Sequence, residues 1–191
     1  MEALLAVLQE IGQAAPQTPL YYYDIPSMTG VHLPMVEVLE QGRERIPTLR
    51  GLKYTNSDFL QMQRCIQVAD GYFDVLFGHD AVLAGGWMYG VRGASGTTYN
   101  FMAPLYHQLL DACERHDDHQ VQQLQAASSD IIADLFEVGF LPSVRVLMED
   151  IGIRVGPPRL PLLPLAGAKL AQLREKLAAR NFQQWRARPG E

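Results

Sequence analysis

The spacing of apolar residues changes period repeatedly over the first 115 positions, and each change predicts a switch between helix and strand. Leu4, Leu5, Leu8 and Ile11 recur at helical intervals, so residues 3–14 are expected to form a helix that ends in Ala14-Ala15-Pro16-Gln17-Thr18-Pro19. A short aromatic strand, Leu20-Tyr21-Tyr22-Tyr23, follows, and Pro26 stops it. The cycle then repeats with a helix around 34–43, a strand over 49–54 and a helix over 57–68. A third strand is expected over 72–77, whose mostly apolar residues suit a strand covered on both faces. Asp80 is placed to cap a helix running to about residue 89. A weaker fourth strand at 91–94 leads through glycines to Gly96 and a helix over 102–115. Strand and helix alternating in this way is the pattern of parallel βαβ units.

Beyond residue 116 the alternation stops. Helical patterns occupy 120–138, with Leu124, Ile131, Ile132, Leu135 and Phe136 at the apolar positions, then 143–150 and 166–185. Between the last two, Gly156-Pro157-Pro158-Arg159-Leu160-Pro161 with Pro164 cannot be helical and reads as a rigid connector rather than as a ligand for a proline-binding module. Residues 186–191 are expected to fray.

Composition narrows the function classes. With 16 basic and 21 acidic residues the net charge is -5, which argues against a phosphate-backbone binder, so no nucleic-acid partner is expected. A chain of 191 residues, 48% apolar, can bury a core without a disulfide or metal staple. Cys65 and Cys113 lie far apart and outside any C-x-x-C pattern, which suggests a reducing compartment. Met1-Glu2-Ala3-Leu4-Leu5 lacks the features of a signal peptide and no run of about 18 apolar residues occurs, so no membrane partner is expected and the location reads as cytoplasmic. His32, His79, His107, His116 and His119 lack metal-ligand spacing apart from the weak His116-x-x-His119 pair, so no metal is expected. Met62, Met88 and Met102 read as core fillers.

Ligands of parallel α/β proteins gather at the carboxyl ends of strands. Tyr23-Asp24-Ile25-Pro26, Gly51-Leu52-Lys53-Tyr54-Thr55 and Gly78-His79-Asp80 are the polar segments there. Lys53 stands out, because a lysine inside a strand covered on both faces is expensive unless it pairs with a carboxylate or is used. A free lysine amine, with a pKa of about 10.4, is almost wholly protonated at pH 7; burial lowers that value and frees the amine to form a Schiff base with a ketone. A structural ion pair, a snorkelling lysine and a nucleophile all remain open on the pattern alone. Gly93-Ala94-Ser95-Gly96-Thr97-Thr98 is similar to a phosphate-cradling turn but lacks the Lys-Ser/Thr ending of a P-loop.

Four motifs in one order carry a resemblance: Tyr21-Tyr22-Tyr23-Asp24-Ile25-Pro26-Ser27-Met28-Thr29-Gly30-Val31, Gly51-Leu52-Lys53-Tyr54-Thr55, Gly78-His79-Asp80 and Gly96-Thr97-Thr98-Tyr99-Asn100. Together they resemble the N-acetylneuraminate lyase family, part of the wider dihydrodipicolinate synthase group of Schiff-base aldolases. The resemblance runs through essentially the whole chain and implies a TIM barrel with added C-terminal helices. A complete barrel has eight βα units in about 250 residues. The expected fold is therefore α/β, a partial TIM barrel of about four βα units, strands five to eight, over residues 1–115, with a helical extension of the same domain over 116–191.

The resemblance implies that Lys53 forms the Schiff base with the C2 ketone of open-chain N-acetylneuraminate while Tyr23 shuttles the proton. Retro-aldol cleavage would then give pyruvate and N-acetylmannosamine, with no cofactor beyond the lysine. Thr55 would hydrogen-bond the sugar or the tyrosine, Gly78 and Asp80 would hold the polyol tail, and Thr97 would add a hydroxyl contact. The family pattern also implies a homo-oligomer, a tetramer, with a small-molecule substrate as its partner. Met28 stands where dihydrodipicolinate synthases carry an arginine for a second carboxylate, which favours a neutral polyol aldehyde as product. Ala81 stands where lyases usually carry a glutamate for the glycerol tail, and Thr97 where they carry serine. The family's carboxylate-binding Gly-Thr-Thr segment, which follows an early strand, has no counterpart ahead of Lys53. The expectation is a shortened lyase, weak or inactive without the other half barrel. The alternative is a truncated, non-catalytic product that acts as an oligomerisation or partner-binding module.

Overall fold

Four parallel strands, hydrogen-bonded in chain order, form a single sheet: β1 (Leu20–Asp24), β2 (Leu49–Tyr54), β3 (Asp74–Phe77) and β4 (Gly93–Ala94). The structure is a computed structural model and describes residues 1–188. Each strand is separated from the next by helix, as βαβ alternation requires: α2 (Pro26–Thr29) and α3 (Met35–Arg45), then α4 (Phe59–Gly71), then a 3-10 turn (Asp80–Val82) and α5 (Leu83–Met88). The chain divides into two compact units, one of residues 1–79 and 85–95, the other of residues 80–84 and 96 onward.

In the first unit the two-residue period of the strands separates a packed face from an open one. Leu52, Tyr54, Val75 and Phe77 are at most 4% exposed and face α3 and α4. Burying each such side chain contributes about 1.5–3 kcal/mol. Helix α1 (Glu2–Ala14) adds Leu5 and Leu8 against α3. The other face carries Tyr21 at 38% and Tyr23 at 43% exposure, with Lys53 and Leu76 half-buried. The apolar residues of β2 thus supply one covered face, and the expectation that Lys53 lies in a strand covered on both is corrected.

Other departures have local causes. Ile11 fits the helical period but is exposed, because the buried stripe of α1 runs through Leu5, Leu8 and Gly12. Strand β3 begins at Asp74 rather than 72, since Ala69, Asp70 and Gly71 all adopt positive φ and turn the chain first. The short helix α2 was not expected; Pro26 occupies its first turn, where a missing N–H costs nothing, and Gly30 at φ 66° closes it. Met62 and Met102 are buried, whereas Met88 is exposed.

The second unit is built on α6 (Tyr99–Glu114), α7 (Asp118–Val138), α8 (Phe140–Asp150) and α9 (Gly167–Ala179). Leu105 and Leu109 of α6 and Leu124 and Ile131 of α7 are buried where the two helices pack. Asp134 of α7, 6% exposed, accepts from Lys176 at 3.0 Å and Arg180 at 2.9 Å on α9. Burial alone would raise that carboxyl, but the two donors outweigh it and hold it below the usual carboxylate range. Residues 153–159 are non-helical, as the prolines dictate. Phe136 is an exposed member of the α7 pattern and stacks on Phe140 at 4.4 Å. The tail does not fray at once, because Ala187 N–H donates to the Phe101 carbonyl at 2.8 Å. Residues 189–191 of the expected frayed segment lie outside the described residues. Among the described residues no helix is long and apolar enough to cross a membrane.

Candidate active site

Tyr23 and Lys53 are register partners across β1 and β2, so their side chains leave the same face of the sheet side by side. Lys53 Nζ lies 4.2 Å from the centroid of the Tyr23 ring. Among the described residues the lysine forms no ion pair, which removes the structural salt bridge from the three roles its position left open. Thr55 continues β2: its N–H donates to the Asp24 carbonyl at 2.8 Å, while its hydroxyl is buried with no partner among the described residues. Gly78 makes room for that hydroxyl, since a Cβ at Gly78 would stand 1.8 Å from Thr55 Oγ1. Tyr23, Lys53, Thr55 and Gly78 therefore meet at the carboxyl ends of β1, β2 and β3. An amine without a carboxylate counter-ion, set over a phenol, can add to a carbonyl, and the phenol can carry a proton.

The packed side of the same strand ends holds groups the sequence did not single out by role. Asp24 is 1% exposed and accepts from Asn56 Nδ2 at 3.1 Å. Burial raises its carboxyl above the ordinary value, and the Asn56 donor only partly opposes that. Cys65 lies nearby with its thiol pushed up to about 12, mainly by burial and then by the charges of Asp24 and Asp58, so it is an inert core group. His79 sets its ring edge-on to Phe77 at 5.6 Å, and its Nε2 is buried without a partner among the described residues.

Asp80 and Thr97 belong to the second unit. Asp80 opens a 3-10 turn instead of capping a helix, and its carboxylate is committed elsewhere. Oδ2 accepts from the Thr98 N–H at 3.0 Å and from the Thr98 hydroxyl at 2.6 Å. The Thr98 oxygen lies 2.6 Å from the Tyr106 hydroxyl, which lies 2.9 Å from Ser128 Oγ. The turn is also held by α7: the Ala81 carbonyl accepts from Gln125 Nε2 at 2.9 Å and Ser129 Oγ at 2.7 Å, and Ala84 N–H donates to Gln125 Oε1 at 2.8 Å. A Cβ at Gly96 would fall 2.9 Å from Asp80 Oδ2, so only glycine fits beside the carboxylate. Thr97 is half-buried, and its carbonyl accepts from Asn100 at 2.9 Å. Thr98 stands in two of the sequence motifs without a role of its own, and Tyr106, Gln125, Ser128 and Ser129 stand in none. The one available signal was Gln125, Ser128 and Ser129 at i, i+3 and i+4, one polar face of a helix. Among the described residues no group of three His, Cys, Asp or Glu side chains is placed to hold a metal.

Residues 2–180 match the sequence profile of the dihydrodipicolinate synthetase family. The chain belongs to this family. Within it, the chain is 36% identical over 186 residues to an N-acetylneuraminate lyase of Danio rerio, covering 96% of this chain and 60% of the relative. It is likewise 36% identical over 164 residues to the N-acetylneuraminate lyase of Homo sapiens, covering 84% of this chain and 51% of that protein. Among solved structures, the Proteus mirabilis N-acetylneuraminate lyase superposes with a TM-score of 0.90 at 34% identity, covering 95% of this chain and 61% of that one. The sialic acid aldolase of Aliivibrio salmonicida gives a TM-score of 0.88 at 39% identity, covering 94% and 59%. This member of the dihydrodipicolinate synthetase family thus spans at most about 60% of the length of these curated relatives.

Proposed function

We propose that this chain carries the Schiff-base machinery of an N-acetylneuraminate lyase. The observation that carries the reading is the pairing of Tyr23 with Lys53, which has no ion-pair partner among the described residues, in register on one sheet face, Nζ 4.2 Å from the ring centroid. The Lys53 amine adds to the C2 ketone of open-chain N-acetylneuraminate, and Tyr23 gives its phenol proton to the departing water, leaving an iminium and a phenolate. Tyr23 takes the C4 hydroxyl proton as the C3–C4 bond breaks; N-acetylmannosamine leaves as the aldehyde, and the electron pair moves into the iminium to give an enamine. Protonation at C3 and hydrolysis release pyruvate and the free lysine. No cofactor is required by this sequence of steps. Thr55 offers its buried, unpartnered hydroxyl to the substrate or to Tyr23. In the same reading Gly78, Asp80 and Thr97 hold the polyol tail.

The same proposal takes the four strands as strands five to eight of a TIM barrel, with residues 1–115 as its barrel part and 116–191 as its helical extension. It also takes the protein to be a cytoplasmic homotetramer. A coupled assay that converts released pyruvate to lactate tests the activity: N-acetylneuraminate should yield pyruvate slowly, as expected of a chain that spans at most about 60% of its relatives' length, and Lys53→Met should abolish it.

A second reading is a non-catalytic oligomerisation or partner-binding module. It is favoured by the exposure of Tyr21 and Tyr23 on the uncovered sheet face. Oligomeric assembly without pyruvate release in the same assay would select it.

A further inference from the structure

The Asp80 carboxylate sits at the end of a directed chain of hydroxyls. Thr98 has one hydroxyl proton and donates it to Asp80 Oδ2 at 2.6 Å. The Tyr106 hydroxyl, 2.6 Å from Thr98 Oγ1, is then the donor to it, and Ser128, 2.9 Å from Tyr106, donates to the phenol oxygen in turn, its 3.5 Å approach to the Asp80 carbonyl being the weaker contact. All three groups are buried: Thr98 and Ser128 are 0% exposed and Tyr106 4%. Burial first, and the Asp80 charge after it, raise the Tyr106 phenol far above its ordinary value, so it stays a donor. Hydrogen bonds aligned in one direction polarise one another, and here the polarity runs toward the carboxylate. Gln125 and Ser129 fix the backbone on which Asp80 stands through the Ala81 carbonyl and the Ala84 N–H.

The other carboxylate oxygen is treated differently. Asp80 Oδ1 has no hydrogen-bond partner among the described residues and is not one of the buried unpartnered atoms. A carboxylate with one oxygen locked by two donors and the other left free presents an acceptor of fixed direction. A vicinal hydroxyl of a neutral polyol matches such an acceptor.

We infer that Tyr106 and Ser128 are positioning residues, which act through Thr98 to aim Asp80 Oδ1 at a hydroxyl of a neutral polyol ligand. The inference rests on the lyase reading for the identity of the polyol. It assigns α7, which reads in sequence as part of a helical extension, to the upkeep of a binding group.

The test is a double-mutant cycle read by calorimetric titration of N-acetylmannosamine into the full chain. Tyr106→Phe should weaken binding about tenfold, the scale of one misplaced buried hydrogen bond. Ser128→Ala, which keeps the phenol, should weaken it in the same direction and serves if Tyr106→Phe fails to fold. The decisive figure is the combination: once Asp80→Ala is in place, adding Tyr106→Phe should cost nothing further, because the tyrosine acts only through the carboxylate. Additive losses, unchanged affinity in Tyr106→Phe and Ser128→Ala, or absence of sugar binding by the unaltered chain would each overturn the inference. Borohydride trapping of pyruvate, run on the same sample, separates this outcome from the lyase reading. Non-additive sugar binding without pyruvate trapping leaves the positioning role standing and removes the lyase; trapping with an additive cycle does the reverse.

Discussion

Among the described residues Lys53 has a ring contact and no counter-ion, whereas Asp80 takes two hydrogen bonds from Thr98 and ends a chain of three buried hydroxyls. The two regions place polar chemistry by opposite means. Around Lys53 the open sheet face leaves Tyr23 at 43% exposure, so neither side chain is needed to hold the fold. Around Asp80 every hydroxyl of the chain is buried and satisfied, so the same atoms that orient the carboxylate also stabilise the helices. A nucleophile must move and change its bonding, and loose contacts suit it. A binding acceptor gains from being held still.

That contrast is open to direct attack. Tyr23→Phe should lower the rate of N-acetylneuraminate cleavage by about 10²–10⁴, the usual contribution of a positioned proton carrier. Its chemical unfolding midpoint should stay nearly unchanged, because surface substitutions are usually within about 0.5 kcal/mol. A large loss of stability in Tyr23→Phe would erase the difference between the regions. Thr98→Val should behave in the opposite way: it strips Asp80 Oδ2 of its hydroxyl donor and Tyr106 of its acceptor at 2.6 Å, costing about 1–3 kcal/mol in urea unfolding.

A smaller effect sharpens the comparison within β1, between the open face of Tyr23 and the packed face of Asp24. Burial raises the Asp24 carboxyl in the folded state, so the native protein holds that proton more tightly than the unfolded chain does. Above the raised folded value the buried charge costs stability, and the cost fades as pH falls through it toward the unfolded value. Asp24→Asn should therefore stabilise the protein at pH 7 by on the order of 1 kcal/mol. The advantage should shrink toward pH 4, as followed by unfolding curves across that range.

Much of the first unit was legible in the chain itself. The strand expected over 49–54 coincides with β2 residue for residue, because Leu49, Leu52 and Tyr54 are buried and Pro47 and Asn56 bound the segment. The juxtaposition of Tyr23 and Lys53 follows from motif order together with parallel pairing. The Asp80 region was less legible. Asp80 ahead of an apolar run reads as a cap, but the tertiary partner Thr98 lies 18 residues away and wins the carboxylate. Gln125, Ser128 and Ser129 share one polar helix face, and nothing local in the chain distinguishes water from the Asp80 turn as their partner. Sequence period reports which faces are apolar and is silent on what a polar face meets.

The most direct test of the account is chemical. The chain is incubated with pyruvate, reduced with borohydride and mapped by peptide mass spectrometry. The account predicts one reduced pyruvate adduct, on Lys53, and its loss in Lys53→Met. An unaltered chain that forms no adduct, or a Lys53→Met chain that still forms one, would contradict it.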